Sequence, residues 1–174
     1  MNFKSNKSAG FDNISPSVIK NIMPIIAQPL ANIFNMSLST GIFPDALKIA
    51  RVVPIFKSDD KTLVNNYRPI SVLPIFSKLL EKIVFKRLTS YMEAFNFLTD
   101  KQYGFREKHS TYMALVELLD RISEEIDDKK FSLGVFIDLS KAFDTINHKV
   151  LLSKLDLYGI RGVAHKWSSS FLSK

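Results

Sequence analysis

The 174-residue chain contains no cysteine. That absence excludes disulfides and thiolate zinc sites, and it leaves an extracellular disulfide scaffold without support. No apolar run reaches the length needed to span a membrane. The opening residues, MNFKSNKSAGFDN, lack the apolar core of a signal peptide. The expectation is therefore an intracellular chain with no membrane partner. Internal repeats and low-complexity tracts are missing as well. Acidic residues are in the minority: 17 Asp and Glu stand against 24 Lys and Arg, for a net charge of +7 and a pI of about 9.5. Such a balance favours a polyanionic partner such as nucleic acid, although a soluble domain can be basic without one. The hydrophobic share of 46% is ordinary for a globular chain. The length suits one domain with a real core.

The most informative stretch is FSLGVFIDLSKAFDTINH, residues 131–148. Phe131, Leu133, Val135, Phe136 and Ile137 form a short apolar run that predicts a buried strand. The run stops at Asp138. Leu139 follows, then Ser140 as a helix cap, and a short helical pattern through Lys141, Ala142, Phe143 and Asp144. A buried, unpaired carboxylate is costly, so it is normally paired, metal-bound or reached by solvent. Phosphate-processing sites hold Mg²⁺ with one or two carboxylates plus substrate oxygens. Asp138 suits that role, and Phe143 would place a ring over the same pocket. Equally, Asp138 caps the next turn and Phe143 is ordinary core. These residues alone leave both readings open.

Ahead of this stretch, Ser15-Pro16 opens a helix with Val18, Ile19, Ile22 and Met23 on its apolar face. Pro24 is expected to restart the path into a second helix that ends at Gly41. Residues 50–57, ARVVPIFK, and 67–73, YRPISVL, read as two extended runs joined by a polar loop, an antiparallel pair with Pro54 at an edge or bulge. Lys57 and Arg68 lie near the ends of this pair. A guanidinium fork and a point charge suit a triphosphate, and exposed strand cations are also commonly just solvated. Residues 74–96 predict an amphipathic helix; its Lys78, Lys82, Lys86 and Arg87 read as a solvent face with weak electrostatic steering.

Residues 98–110, LTDKQYGFREKHS, form a loop that combines Gln102, Tyr103, Gly104, Phe105 and Arg106. Rings beside a cation are what single-stranded nucleic acid binding uses, and buried aromatics also pin loops. His109 has no second His or Cys at ligand spacing, so it reads as a capping or hydrogen-bonding residue. Ser110 caps a helix over residues 111–128 whose Met113, Leu115, Val116, Leu118, Leu119 and Ile122 should be buried. Two further helices follow, residues 148–158 and 162–172, with Trp167 in the core.

The pattern F-x-D-L-S-K-A-F-D-x-I-x-H closely resembles the first catalytic block of the reverse transcriptases of non-LTR, jockey-like retrotransposons. The likeness runs in order through K-S-A-G-F-D, P-I-F-K, N-Y-R-P-I-S-V-L and Q-Y-G-F-R-x-x-H-S-T. It implies an α+β fold: a partial right-hand polymerase, fingers plus incomplete palm, with a small, mostly antiparallel sheet and many helices. It divides the chain into an N-terminal helical extension (1–49), fingers (50–128) and the start of a palm (129–174). Arg68, with Lys57, would grip the incoming deoxynucleotide's phosphates. Gln102, Gly104, Phe105 and Arg106 would support the RNA template. Asp138 would be the first catalytic, metal-binding aspartate for Mg²⁺, with the Leu139 carbonyl as a further ligand. Phe143 would be the steric gate that rejects a 2′-hydroxyl. A DNA primer completes the implied partners.

The aromatic-Ala-Asp-Asp turn that supplies the family's other carboxylates does not occur in these 174 residues. Asp59-Asp60 sits in a polar loop and Asp127-Asp128 ends a helix, so neither replaces it. The expectation is that this polypeptide is inactive alone. The alternatives are a nucleic-acid-binding remnant without chemistry and a degenerate gene fragment with no role.

Overall fold

A computed structural model describes residues 8–139 and 142–173. The expected cap at Ser140, together with Lys141 and Lys7, lies outside them. The described chain divides into two compact units, residues 8–87 with 147–173 and residues 88–139 with 142–146.

In the first unit, α1 spans Pro16–Thr40. The Ser15 hydroxyl accepts from the Val18 N–H, Pro16 occupies the first turn where no N–H is needed, and Gly41 closes the helix at φ 69°. The expected break at Pro24 does not occur: Pro24 and Pro29 both lie inside one 25-residue helix. Each interior proline costs about 3 kcal/mol. Ile19 ahead of them and Phe34 behind them enter the same core. Burial on both sides of the prolines offsets their cost.

Strands β1 (Arg51–Phe56) and β2 (Tyr67–Val72) pair antiparallel, as predicted. Pro54 faces Pro69 in the register. Both lack an N–H, so their gaps in hydrogen bonding fall at one rung of a two-stranded sheet, where every strand is an edge. Ala9 and Gly10 are tied to this hairpin. Arg51 Nη2 donates to the Ala9 carbonyl at 3.0 Å. A Cβ on Gly10 would lie 2.7 Å from Pro74 N and 2.8 Å from Pro74 Cα, so only glycine permits this approach.

Helix α2 (Ile75–Ala94) leaves Pro74 and buries Ile75, Ser77, Leu79 and Leu80. Helices α4 (His148–Leu157) and α5 (Gly162–Leu172) close the unit. Phe43, Trp167 and Phe171 form an aromatic cluster, with Phe43 edge-on to both rings. Trp167 Nε1 donates to Ser37 Oγ at 3.0 Å, and Ser37 Oγ donates to the Ile42 carbonyl at 2.6 Å. The expected core position of Trp167 holds.

In the second unit, α3 (Thr111–Asp127) starts at Ser110, whose hydroxyl accepts from the Met113 N–H at 3.3 Å. Its apolar face is not buried; Met113, Leu115, Val116, Leu118 and Leu119 are all exposed. The predicted strand over residues 131–137 is absent too. Residues 131–139 have no regular secondary structure, and Phe131 is 104% exposed. A strand exists only through its ladder partners, and no described residue pairs with this run. Among the described residues the architecture is a mix of many helices with one small antiparallel sheet, consistent with α+β.

Candidate nucleotide and template site

The hairpin of the first unit carries the two cations predicted to meet phosphate. Arg68 stands opposite Ile55 in the register, and the Lys57 N–H continues the ladder to the Asn66 carbonyl at 2.8 Å. Strand alternation therefore puts Lys57 and Arg68 on one face, as diagonal neighbours. Both are exposed. The opposite face holds Phe56 and Tyr67, their rings 5.5 Å apart. The connecting loop is built on Asp60, whose Oδ1 accepts from the Thr62 N–H and hydroxyl, both at 2.8 Å. The bond from the Thr62 backbone is the main reason its carboxyl is held below the usual range. Asp60 thus braces the turn of the loop through Thr62.

In the second unit, the loop at 98–110 folds onto itself and onto α3. Arg106 Nη1 donates to the Thr99 carbonyl at 2.7 Å, while its Nε is buried without a hydrogen-bond partner. Gln102 Nε2 donates to the Gly104 carbonyl at 3.3 Å. His109 Nδ1 lies 3.0 Å from the Glu107 carbonyl, the hydrogen-bonding role expected of it. Lys101 donates to Glu117 of α3, and Arg121 Nη2 is 3.1 Å from the same carboxylate. The hydrogen bond from Lys101, more than the neighbouring charges, holds the Glu117 carboxyl below its ordinary range. Glu117 anchors the loop, a role the sequence reading missed. Its pairing with Arg121 has legible i, i+4 spacing; its pairing with Lys101 has no such signal.

Phe105 occupies the left-handed region at φ 60°, unusual for so bulky a side chain. It is 84% exposed. Its ring meets Phe143, itself 73% exposed, edge-to-face at 5.8 Å. The ring expected to meet template and the ring expected to act as gate thus stand together. Gly104 is exposed beside them. Asp138 and Leu139 lie in the exposed, unpaired segment. Among the described residues, no three His, Cys, Asp or Glu side chains converge to hold a metal ion. The Asp138 carboxylate is the donor type that a divalent ion takes alongside substrate oxygens.

Charge divides sharply between the units. Residues 1–87 and 147–174 contain 17 Lys and Arg against 6 Asp and Glu, whereas residues 88–146 contain 7 against 11. These two parts of the sequence are thus +11 and −4, which together give the net +7. Among the described residues, no helix is long and apolar enough to cross a membrane.

The family profile described as "Reverse transcriptase (RNA-dependent DNA polymerase)" matches residues 55–174. The chain is 37% identical over 150 residues to a probable RNA-directed DNA polymerase from transposon BS of Drosophila melanogaster, covering 86% of this chain and 17% of that protein. It is 34% identical over 149 residues to the RNA-directed DNA polymerase from mobile element jockey of the same organism, covering 85% and 16%. A putative 115 kDa protein in type-1 retrotransposable element R1DM, also from Drosophila melanogaster, is 31% identical over 171 residues, covering 97% and 16%. The chain therefore spans about one sixth of the length of these relatives. Polymerases of this family generally use divalent metal ions. The chain belongs to the reverse transcriptase family and groups with the polymerases of non-LTR, jockey-like retrotransposons.

Proposed function

We propose that this chain supplies the nucleotide-facing and template-facing portion of an RNA-directed DNA polymerase. Residues 1–49 form its N-terminal extension, 50–128 its fingers and 129–174 the start of its palm. Arg68 takes the triphosphate as a fork and Lys57 adds a point charge from the same face of the hairpin. Phe143 stands under the sugar and leaves no space for a 2′-hydroxyl. The loop from Gln102 to Arg106 supports the template base, with the Phe105 ring as a stacking surface. Arg106 serves chiefly by closing that loop through Thr99.

Asp138, with the Leu139 carbonyl, offers Mg²⁺ one side of its coordination shell. Divalent ions, when bound, stabilise the attacking and leaving oxygens of nucleotidyl transfer. This chain contributes one carboxylate to that work, so the isolated polypeptide holds nucleic acid and makes no DNA.

The observation that carries the reading is the contact between Phe105 and Phe143. It joins two sequence blocks, 38 positions apart, that resemble separate family motifs. The test is photo-cross-linking to an RNA template carrying 4-thiouridine, hybridised to a DNA primer, followed by peptide mapping. Adducts within residues 102–106 are expected. Adducts confined to other segments would sink the assignment. Primer extension by this chain should give no product above background; clear synthesis would refute the claim that its single Asp138 carboxylate does not suffice.

A further inference from the structure

We propose that the outer side of α2 is a track for single-stranded RNA, built from Lys78, Lys82 and Lys86 around the ring of Phe85. The proposal takes only the identity of the nucleic acid, RNA, from the functional reading above.

A helix that merely shows lysines to solvent has no need of a phenylalanine among them. Phe85 is nevertheless 56% exposed, although the helix has a well-formed core side in Ile75, Leu79 and Leu80. It lies three residues after Lys82 and seven after Lys78, and so shares their side of the helix. Lys78, Lys82 and Lys86 make one i, i+4, i+8 row, about 6 Å per step. Glu81, next to this row in sequence, accepts the Ser77 hydroxyl at 3.0 Å. Among the described residues, neither Lys78 nor Lys86 is in an ion pair. All four track residues lie in the part of the sequence, residues 1–87 and 147–174, that carries +11. Cations along a backbone with a ring for a base is the composition that single strands use, and duplexes offer no free base to the ring.

The test is fluorescence anisotropy of a labelled single-stranded oligouridine with the full chain across a salt series. Replacing all three lysines (K78A, K82A and K86A) should flatten the slope of log K against log salt by about 2, from about 0.7 per phosphate on a single strand. Phe85→Ala should weaken binding about tenfold and leave the slope alone. Alanine keeps the helix, and circular dichroism together with a K78Q, K82Q and K86Q variant checks that folding is retained. An unchanged slope in the lysine variants overturns the track, as does a wild-type chain that fails to bind at low salt. An equal effect of Phe85→Ala on duplex RNA overturns the stacking role. Loss of slope here with no thiouridine adducts at residues 102–106 would leave the track standing and remove the template-loop assignment.

Discussion

Phe105 and Phe143 meet at 5.8 Å with their planes 88° apart, and Phe105 holds a left-handed backbone to do so. A bulky residue there costs about 1–2 kcal/mol. An edge-to-face contact returns about 0.5–1.5 kcal/mol, the lower part of that range for rings this exposed. Phe105→Asn should therefore relieve strain, because asparagine tolerates the left-handed region. In a Phe143→Leu background the gain should be about 1 kcal/mol. In the wild-type background it should be smaller, by the lost ring contact. Amide hydrogen exchange across residues 98–110 reads both values. Equal gains in the two backgrounds would mean that the rings do not support one another.

Gly10 predicts a sharper effect. An alanine Cβ would press on the backbone of Pro74, which no side-chain rotation can clear. Gly10→Ala should destabilise the first unit by about 1–3 kcal/mol. Gly104→Ala is the control, since nothing lies within 4 Å of the added carbon. Urea midpoints that move together would refute the clamp between the Ala9–Gly10 segment and the start of α2.

Ser37 joins the indole of Trp167 to the Ile42 carbonyl. Ser37→Ala leaves a buried indole N–H and a carbonyl without this partner, at a cost of about 1–3 kcal/mol. Trp167 is the only tryptophan in the chain, so its fluorescence reports this site directly. The variant should unfold at lower urea. An unchanged midpoint would show that the network contributes nothing net.

Local chemistry made much of the fold readable. Ser15-Pro16, Ser110 and Gly41 mark helix ends through caps that depend on only a few neighbouring residues. The hairpin was legible because both its strands lie within 22 residues, joined by a polar loop. Pro24 misled because its cost is local whereas the burial that offsets it comes from distant helices. The run at 131–137 misled for the opposite reason: its composition suits a strand, but the pairing that makes one is not local. The same division holds at the site. Arg68, Lys57 and Phe105 were singled out through motifs, whereas Glu117 and the exposed Phe85 are visible only once packing separates covered from uncovered sides. Phe85 falls off the apolar row of α2, and that mismatch was the available signal.

Glu81 gives a prediction in pH. Partial burial raises its carboxyl above the ordinary glutamate range, opposed in part by the Ser77 hydrogen bond and the Lys78 charge. The folded chain thus holds this proton more tightly than the unfolded chain does. The contribution is fully present below the ordinary glutamate value, and it is lost as pH rises from there through the raised one. Glu81→Gln keeps an oxygen to accept from Ser77 and carries no charge, so it removes that loss. The difference in stability between variant and wild type should be constant at acid pH, then grow in the variant's favour through the window above the ordinary value. Denaturant midpoints across a pH series measure it. A difference that stays flat with pH would mean that burial does not perturb Glu81.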